Sequence, residues 1–495
     1  MSEAVAQHLP VLTLAVLIFA APVAFLANAR GARIVSLVAA VMEVALAAWL
    51  ALAVSADGEM TYRIGGWGAP LGIDFSIDGL SATMIALTAV VGLAVTVYAA
   101  AYFGADEKYR HYWPLWLFLW GSLVALFSTN DAFNLYVCLE LVSVSAVALV
   151  AVAGTRDSLV AAMRYMLAAV AGSLFYLLGV AMIYGARGAL DLDVLAAGSA
   201  GGAALQVGLA LAMVGLLIKT ALVPMHFWLP PAHANAVSPV SAVLSALVVK
   251  GSFFIALRLM GALSGGELVP GLPLLLGLLG AAAILWGSVQ AFAQVRLKML
   301  VAYSTVAQIG YLFILFPLVD AASEPGQAAT AISAGVFHAV SHALAKGAMF
   351  LVAGAVLMRF GHDRIADLAG LARRSPAQAF AFALAGVSML GLPPSGGFVS
   401  KWLYVTAAFQ TGAWWWSVPV LLGGLLAAAY VFRVVAVFMS APAPSDEDDP
   451  QVLHPALSWA PLALAGASLL VGVFGQSVLD LIAPAAAVMA MGVAR

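Results

Sequence analysis

Long apolar segments recur along this chain of 495 residues, and their length limits the folds that it can adopt. A helix needs about 20 predominantly apolar residues to cross the hydrocarbon core of a bilayer. Only 9% of the residues are charged, against about 25% in soluble globular proteins. We therefore predict an all-α polytopic membrane protein. Its spans number about fourteen and are predicted at 9–28, 33–54, 80–102, 114–128, 132–153, 160–184, 205–224, 239–262, 273–293, 300–319, 330–357, 379–411, 416–440 and 458–485.

The distribution of basic residues predicts the orientation. The odd-numbered loops contain most of the Lys and Arg residues, Arg296 and Lys298 among them, whereas the even-numbered loops hold Arg63 and Arg187. Cytoplasmic loops carry an excess of Lys and Arg. We therefore predict a multi-pass protein of the cell (inner) membrane with cytoplasmic odd-numbered loops and both termini outside. The acidic run 446–449 then falls on the cytoplasmic side, where we interpret it as a solvated loop. The formal net charge of −2 gives no support for a nucleic-acid partner.

Two segments interrupt the predicted spans with proline and glycine. The first lies in the stretch KTALVPMHFWLPPAHANAVSPVSAVLSALVVK, from Lys219 to Lys250, where four prolines prevent a continuous helix. The second is GLPPSGG at 391–397. Transporters built from inverted repeats place discontinuous helices at corresponding positions of their two halves, beside the binding site. The two breaks therefore predict the region of the functional site. In the outer loop 55–78, the pattern TYRIGGWGAPLGIDFSID predicts a short β-hairpin.

Several ionisable residues lie inside or between these spans, where a charge is expensive and indicates function by default. They are Glu140, Lys219, Lys250, His338, His342, Lys346 and Lys401, with His226 and His233 among the prolines of the first break. The residues at 338, 342 and 346 are four apart and share one helical face. A carboxylate that moves relative to a lysine changes whether the lysine holds its proton, and histidine exchanges protons near neutral pH. We therefore predict a proton relay.

Structural interpretations stay open for individual members of this set. A buried Lys–Glu pair can simply join two helices. His226 and His233 either line the pathway or satisfy the broken backbone. A metal site at His338 and His342 is not favoured, because no carboxylate or thiol joins them at ligand spacing.

Three further residues are interpreted as structural. Ser143, beside Glu140, is predicted to pack between helices, and Arg258 is predicted to extend to the interface from a span end. The single cysteine, Cys138, lies within a span and excludes both an intrachain disulfide and a cysteine-held cluster.

Five motifs resemble the proton-antiporter-like subunit family. They are LYVCLELVSVSA around Glu140, the stretch from Lys219 to Lys250, LKMLVAYSTVAQIGYLF, HAVSHALAKGAMFLVAG and GLPPSGGFVSKW. That family includes the D-type component of Mrp cation/proton antiporters and the M- and N-type membrane subunits of respiratory complex I. It also includes subunits of membrane-bound hydrogenases and of two-component inorganic-carbon transporters. The resemblance covers roughly residues 60 to 440.

The resemblance implies fourteen helices in two inverted five-helix repeats, with the seventh and twelfth helices discontinuous. The corresponding division is 1–110 for helices 1–3 and the outer loop, 111–265 for the first antiporter-like repeat, 266–440 for the second, and 441–495 for the acidic loop and helix 14. It also implies residue roles: Glu140 and Lys219 as the input pair, Lys250 as the central relay, Lys401 as the exit group, and His338, His342 and Lys346 on the connecting path. Two positions in the first break depart from the family pattern, Pro231 where an acidic residue is usual and Asn235 where Glu or Gln is common.

We therefore predict a proton-translocating subunit of a hetero-oligomeric membrane complex, with the D-type component of an Mrp antiporter as the first candidate. Protons, and Na⁺ as a further candidate, are the expected ions, and other membrane subunits are the expected partners. The alternatives are a proton-channel subunit of a membrane-bound hydrogenase, complex I or an inorganic-carbon transporter, and a stand-alone secondary transporter. No catalytic site, cofactor site or metal site is predicted, so the driving energy is expected from a partner.

Overall fold

The computed structural model describes residues 7–68, 72–198, 202–263, 269–441 and 452–493. Its helices are α1 (Leu9–Leu26), α2 (Ala29–Asp57), α3 (Gly79–Phe103), α4 (Tyr112–Ser128), α5 (Ala132–Ala151), α6 (Arg156–Arg187), α7 (Leu192–Ala197), α8 (Ala203–Thr220), α9 (Leu229–Asn235), α10 (Ser238–Ala262), α11 (Leu272–Ala293), α12 (Leu297–Asp320), α13 (Pro325–Phe360), α14 (Leu371–Arg374), α15 (Pro376–Leu390), α16 (Gly396–Gln410), α17 (Ser417–Met439), α18 (Ala456–Val473) and α19 (Gly475–Val493). Within the described residues, twelve helical segments are long and apolar enough to span a bilayer, and two shorter apolar helices accompany them. The predicted all-α membrane fold is confirmed. The count of fourteen spans and the inverted repeats stay predictions.

The predicted β-hairpin is present in the loop between α2 and α3. Strand β1 (Met60–Arg63) pairs antiparallel with β2 (Asp74–Ile77), with Met60 opposite Ile77. Ile77 is buried, whereas the residues of β1 alternate between half-buried and exposed. The hairpin therefore covers one end of the helix bundle.

Helices α10, α12 and α13 form the centre of the protein. Their apolar segments are almost wholly buried by other helices, whereas α1, α2 and α17 leave most of their side chains at the surface. A polar group on a central helix is therefore shielded from lipid by protein, which is where membrane proteins tolerate ionisable residues. Four of the nine predicted relay residues lie on these helices: Lys250 on α10, and His338, His342 and Lys346 on α13.

Two helix pairs approach each other through glycine. On α6, a Cβ added to Gly179 would lie 2.5 Å from the carbonyl oxygen of Gly208 on α8. On α11, a Cβ added to Gly280 would lie 2.6 Å from the carbonyl oxygen of Gly310 on α12. Because lipid supplies no hydrophobic force between helices, close backbone packing at small residues stabilises such pairs. The first pair holds the helix that ends at the first break.

The end of the chain differs from the predicted single span at 458–485. It forms α18 and α19, which are separated at Phe474. Glycine is disfavoured in the interior of a helix. Gly472 and Gly475 lie on either side of Phe474, where the helix is interrupted. A Cβ on Gly472 would lie 2.1 Å from the carbonyl oxygen of Pro394, so α18 packs directly on the second break. The acidic run 446–449 lies outside the described residues.

Arg258 corrects a second prediction. It does not extend to the interface but donates two hydrogen bonds of 2.6 Å to the carboxylate of Asp78, the N-cap residue of α3, and a third to Ser81. Burial by itself raises the pKa of Asp78, but the charge and hydrogen bonds of Arg258 outweigh it and lower this pKa below 3.8. The pair joins α3 to α10.

Replacing Asp78 by Asn is expected to destabilise the protein by about 3–5 kcal/mol, because it leaves a largely buried guanidinium without a counter-charge. Since the carboxyl pKa is lowered in the folded state, its contribution is present above pH 3.8 and is lost as the pH falls through the lowered pKa. Thermal unfolding in detergent at neutral and acid pH measures both effects. The exposed Asp57, replaced by Asn, is the control. Equal stability of the two variants at neutral pH would contradict this prediction.

Candidate functional site

The first break ends α8 immediately after Lys219. Ala221 has a left-handed backbone conformation (φ 59°), and Pro224 follows three residues later. Proline restricts the residue before it and cannot continue a helix. The chain resumes in a short 3₁₀ turn, Met225–Trp228, and then in α9. Lys219 therefore lies in the last turn of a half-helix, where the partial negative charge of the C-terminus favours a cation.

Lys219 forms the predicted ion pair with Glu140. Its Nζ lies 2.7 Å from Glu140 Oε1 and donates a second bond of 2.7 Å to Ser143 Oγ. Ser173 on α6 donates to the same carboxylate oxygen. The Lys219 side chain is 4% exposed, and that of Glu140 is 28% exposed. The pair thus has one member inside the protein and one that is partly exposed at its surface.

The interpretation of Ser143 as a packing residue is incomplete. Its hydroxyl holds the ammonium of Lys219, although it also bonds the Leu139 carbonyl of its own helix. The sequence spacing of Glu140 and Ser143 could have predicted this contact, because residues three apart lie on one helical face. Ser173 is distant in sequence from Glu140, and no local pattern predicts its contact.

Lys250 lies at the centre of the protein and is fully buried. One turn of α10, Leu244–Val248, is a π-helix, and Lys250 Nζ donates to the Ser245 carbonyl at 2.5 Å. A π turn displaces backbone groups from the α-helical pattern and is frequent at functional sites. Thr220 Oγ1 donates to Ser252 Oγ at 2.8 Å, which joins the neighbours of Lys219 and Lys250.

The residues His338, His342 and Lys346 share one face of α13, as predicted. The two imidazole rings are stacked, with centroids 5.8 Å apart and an interplanar angle of 7°. His338 Nε2 donates to the Gln308 carbonyl at 3.1 Å, and Lys346 Nζ donates to the Val301 carbonyl at 3.0 Å. His342 and Lys346 are both buried inside the protein. These groups form one buried cluster.

The second break places Lys401 against the end of α15. Its Nζ donates to the carbonyls of Met389 and Leu390, each at 2.8 Å. The last carbonyls of a helix have no partner within the helix, and Gly391 (φ 82°) turns the chain away from them. Each break therefore sets one lysine at the C-terminal end of its first half-helix. Lys401 also borders a cavity of about 520 Å³.

Tyr311 connects Lys401 to the histidines, although it was not among the predicted site residues. The Lys401 ammonium lies 5.2 Å from the centre of the Tyr311 ring, and that ring stacks on His338 with centroids 4.9 Å apart. The Tyr311 hydroxyl donates to the Val420 carbonyl at 3.1 Å. The row therefore continues from the central cluster to the second break.

The two histidines of the first break lie in different surroundings. His233 is fully buried and stacks on Phe350 with centroids 4.5 Å apart. Among the described residues, neither of its ring nitrogens has a hydrogen-bond partner. His226 is half-buried in the 3₁₀ turn, and the described contacts do not bring it against the row. Only His233 therefore adjoins the central cluster.

Lys298 was predicted to lie in a loop, and the structure places it instead in the first turn of α12. It is the second residue of α12, is 3% exposed, and donates from Nζ to the Ala236 carbonyl. The apolar residues Leu297 and Met299 on either side of Lys298 were the sequence feature that could have placed it within the helix. The described residues contain no group of three or more His, Cys, Asp or Glu side chains arranged to hold a metal ion.

Comparisons with known proteins agree on one family. The model described as "NADH:quinone oxidoreductase/Mrp antiporter, TM" matches residues 129–427, and "NADH-Ubiquinone oxidoreductase (complex I), chain 5 N-terminus" matches residues 67–113. The N-type subunit of the NADH-quinone oxidoreductase of Desulforudis audaxviator is 38% identical over 381 residues, which are 76% of this chain and 74% of that protein. The D-type subunit of the Na(+)/H(+) antiporter of Bacillus subtilis is 26% identical over 429 residues, 85% and 84% of the two chains. A chain of the Mrp complex from Dietzia sp. superposes over 100% of both chains with a TM-score of 0.89 at 24% identity, which shows a shared fold.

Proposed function

Because the chain belongs to the NADH:quinone oxidoreductase/Mrp antiporter transmembrane family, we propose that it is a proton-translocating subunit of a multi-subunit membrane complex. The observation that supports this most directly is the 2.7 Å ion pair of Glu140 and Lys219 beside a row of buried basic side chains. Joining helices requires neither the length of this row nor its stacked histidines. Proton relay uses both, because lysine and histidine side chains can each accept and release a proton.

In the proposed cycle, Glu140 holds the Lys219 ammonium at rest. When the carboxylate moves away, the ammonium is left buried without a counter-charge, which is unfavourable, and it gives its proton to the next base. At each transfer one N–H bond breaks and another forms, so that a proton moves along the row and no other bond changes. The order of the further carriers is Lys250, His342, His338 and Lys401. Release occurs at Lys401, beside the cavity at the second break.

The finer assignment is the D-type component of an Mrp antiporter. It is supported by the superposition over the whole chain on a chain of the Mrp complex. A specific observation favours a second candidate, because the N-type relative is 38% identical whereas the D-type relative is 26% identical. In either case the energy comes from partner subunits, and protons, with Na⁺ as a further candidate, are the transported ions.

We also infer that 111–265 and 266–440 are inverted repeats and that both termini face outside. The position of one lysine at the C-terminal end of the first half-helix at each break supports the repeat. The excess of Lys and Arg in the odd-numbered loops supports the orientation.

Purification with a native tag in mild detergent, followed by mass spectrometry and reconstitution, tests the function. We expect small membrane subunits to co-purify, and proton transport to require them. Cation-antiporter subunits would support the D-type assignment, and quinone-linked redox subunits would support the N-type assignment. A chain that purifies alone and transports alone would overturn the proposal of a dependent subunit.

A further inference from the structure

Glu43 is a buried carboxyl group in the middle of α2, and it was not among the predicted relay residues. It is 0% exposed, although α2 leaves most of its side chains at the surface. Since α2 extends from Ala29 to Asp57, Glu43 lies about 21 Å from each end, at about 1.5 Å per residue. The carboxyl group is therefore enclosed by protein at the depth of the hydrocarbon core.

No described group bonds or neutralises the Glu43 carboxyl. Neither of its oxygens has a hydrogen-bond partner among the described residues. Glu43 also takes part in none of the ion pairs that these residues form. A carboxylate that is buried without a hydrogen bond or a counter-charge is strongly unfavourable, and such a group takes up a proton instead. The burial and the missing partners therefore indicate a neutral carboxylic acid.

The helices packed against α2 bring no positive charge to Glu43. They are α1, α3, α4 and α19. The first three contain no Asp, Glu, Lys, Arg or His, and their titratable side chains are the tyrosines Tyr98, Tyr102 and Tyr112. The ionisable side chain of α19 is Asp480, which is exposed. On α2 itself the nearest basic residue is Arg33, about 15 Å away along the helix. No described cation is therefore placed to hold Glu43 as a carboxylate.

We propose that Glu43 is a proton-binding site separate from the relay, and that its bound proton keeps α2 packed against α1 and α3. When the proton leaves at alkaline pH, the same packing encloses a charge without a partner, so α2 loosens. The proton stays on Glu43 during transport, because α1, α3 and α4 offer no carboxyl, imidazole or amine to which it could pass. This inference goes beyond the proposed function and does not depend on it.

The bound proton makes the stability depend on pH. A glutamate in the unfolded chain releases its proton above about pH 4.3, whereas the folded chain keeps the proton on Glu43. Because the folded state binds one proton more, its folding equilibrium constant falls by up to about tenfold for each pH unit of increase. Glu43→Gln has the shape and charge of the neutral acid but no proton to lose.

Thermal unfolding in detergent measures this difference. We expect Glu43→Gln to match the wild type in stability at neutral pH and to lose less stability as the pH is raised. A Glu43→Gln chain that unfolds much more readily than the wild type at neutral pH would overturn the proposal, because a neutral side chain of the same shape should replace a neutral acid. An equal loss of stability by both chains at alkaline pH would overturn it as well.

Infrared spectroscopy observes the proton directly, because a neutral carboxyl group and a carboxylate absorb at different stretching frequencies. In the wild-type protein at neutral pH we expect a carbonyl band of a neutral acid, and Glu43→Gln should remove it. The matched control is Glu324→Gln, at an exposed glutamate, which should remove a carboxylate band instead. If the wild type shows no neutral-acid band at neutral pH, the proposal is wrong whatever the variants do. Loss of a carboxylate band from Glu43→Gln would also overturn it.

Transport distinguishes a resident proton from a transported one. In the assembled complex, reconstituted in vesicles, we expect Glu43→Gln to transport protons at the wild-type rate, as Glu324→Gln should. Loss of transport by Glu43→Gln in a normally assembled complex would show that the proton on Glu43 moves during the cycle, and it would overturn the proposal of a separate site.

Discussion

Replacing Glu140 by Gln is expected to abolish coupled proton transport while the complex still assembles. The amide keeps the shape of the carboxylate and can still accept hydrogen bonds from Ser173 and Lys219, but it lacks the negative charge that holds the Lys219 ammonium 2.7 Å away. The charge-controlled step of the cycle is therefore lost. Because the Glu140 side chain is 28% exposed, solvent and partner groups soften the cost to stability. Vesicle transport assays are expected to show a loss of at least about tenfold, with normal subunit content by mass spectrometry.

Lys219→Ala is expected to give the same loss, and the double variant no further loss, because the two residues act as one unit. Glu324→Gln is the matched control, since Glu324 is an exposed glutamate with no side-chain capping bond at the start of α13. Normal coupled transport by Glu140→Gln and Lys219→Ala would remove the pair from the pathway.

Replacing Lys250 by Met is expected to stop proton transfer at the centre of the protein without lowering its stability. Lys250 is fully buried on a wholly buried stretch of α10, and its ammonium donates to the Ser245 carbonyl rather than to a carboxylate. Replacing a buried ionic group by an apolar side chain of similar volume is often neutral or stabilising. We expect transport to fall at least about tenfold and the thermal unfolding temperature to stay equal or to rise.

Transport that falls while the unfolding temperature stays equal or rises distinguishes a role of Lys250 in proton transfer from a role in stabilising the helices. If Lys250 stabilised the helices, Lys250→Met would lower the unfolding temperature and impair assembly, and transport would fall only as the amount of complex falls. Lys108→Met is the control, because Lys108 is an exposed lysine in a connecting segment. Normal transport per assembled complex by Lys250→Met would exclude Lys250 from the pathway.

Short-range chemistry explains what could be predicted from the sequence. Proline fixes where a helix must stop, so both breaks were found with their lysines. Helical periodicity places residues four apart on one face, so the stacked pair His338 and His342 was found as well. The hairpin followed from turn residues between apolar strands. Each of these predictions depends on a few neighbouring residues, and the fold confirms the elements that they specify.

Long-range contacts explain what was missed. The contact of Ser173 with Glu140, the position of Tyr311 between Lys401 and His338, and the inward direction of the Lys298 side chain each join segments far apart in the chain. No periodicity describes such pairs, because they arise only when helices pack. Lys298 is an example, because a lysine near the end of a predicted span is assigned to the adjoining loop when only the sequence is known.

Hydropathy, proline and charge act locally, so the membrane class, the two interrupted helices and the set of ionisable residues could be predicted without a structure. The packing of the helices, in contrast, shows which of those residues meet. It also shows that one lysine lies at the end of a half-helix at each break and that Lys298 is buried. The physical reason is that the cost of burying a charge depends on what surrounds it in three dimensions. Only the packing of α10, α12 and α13 supplies those surroundings.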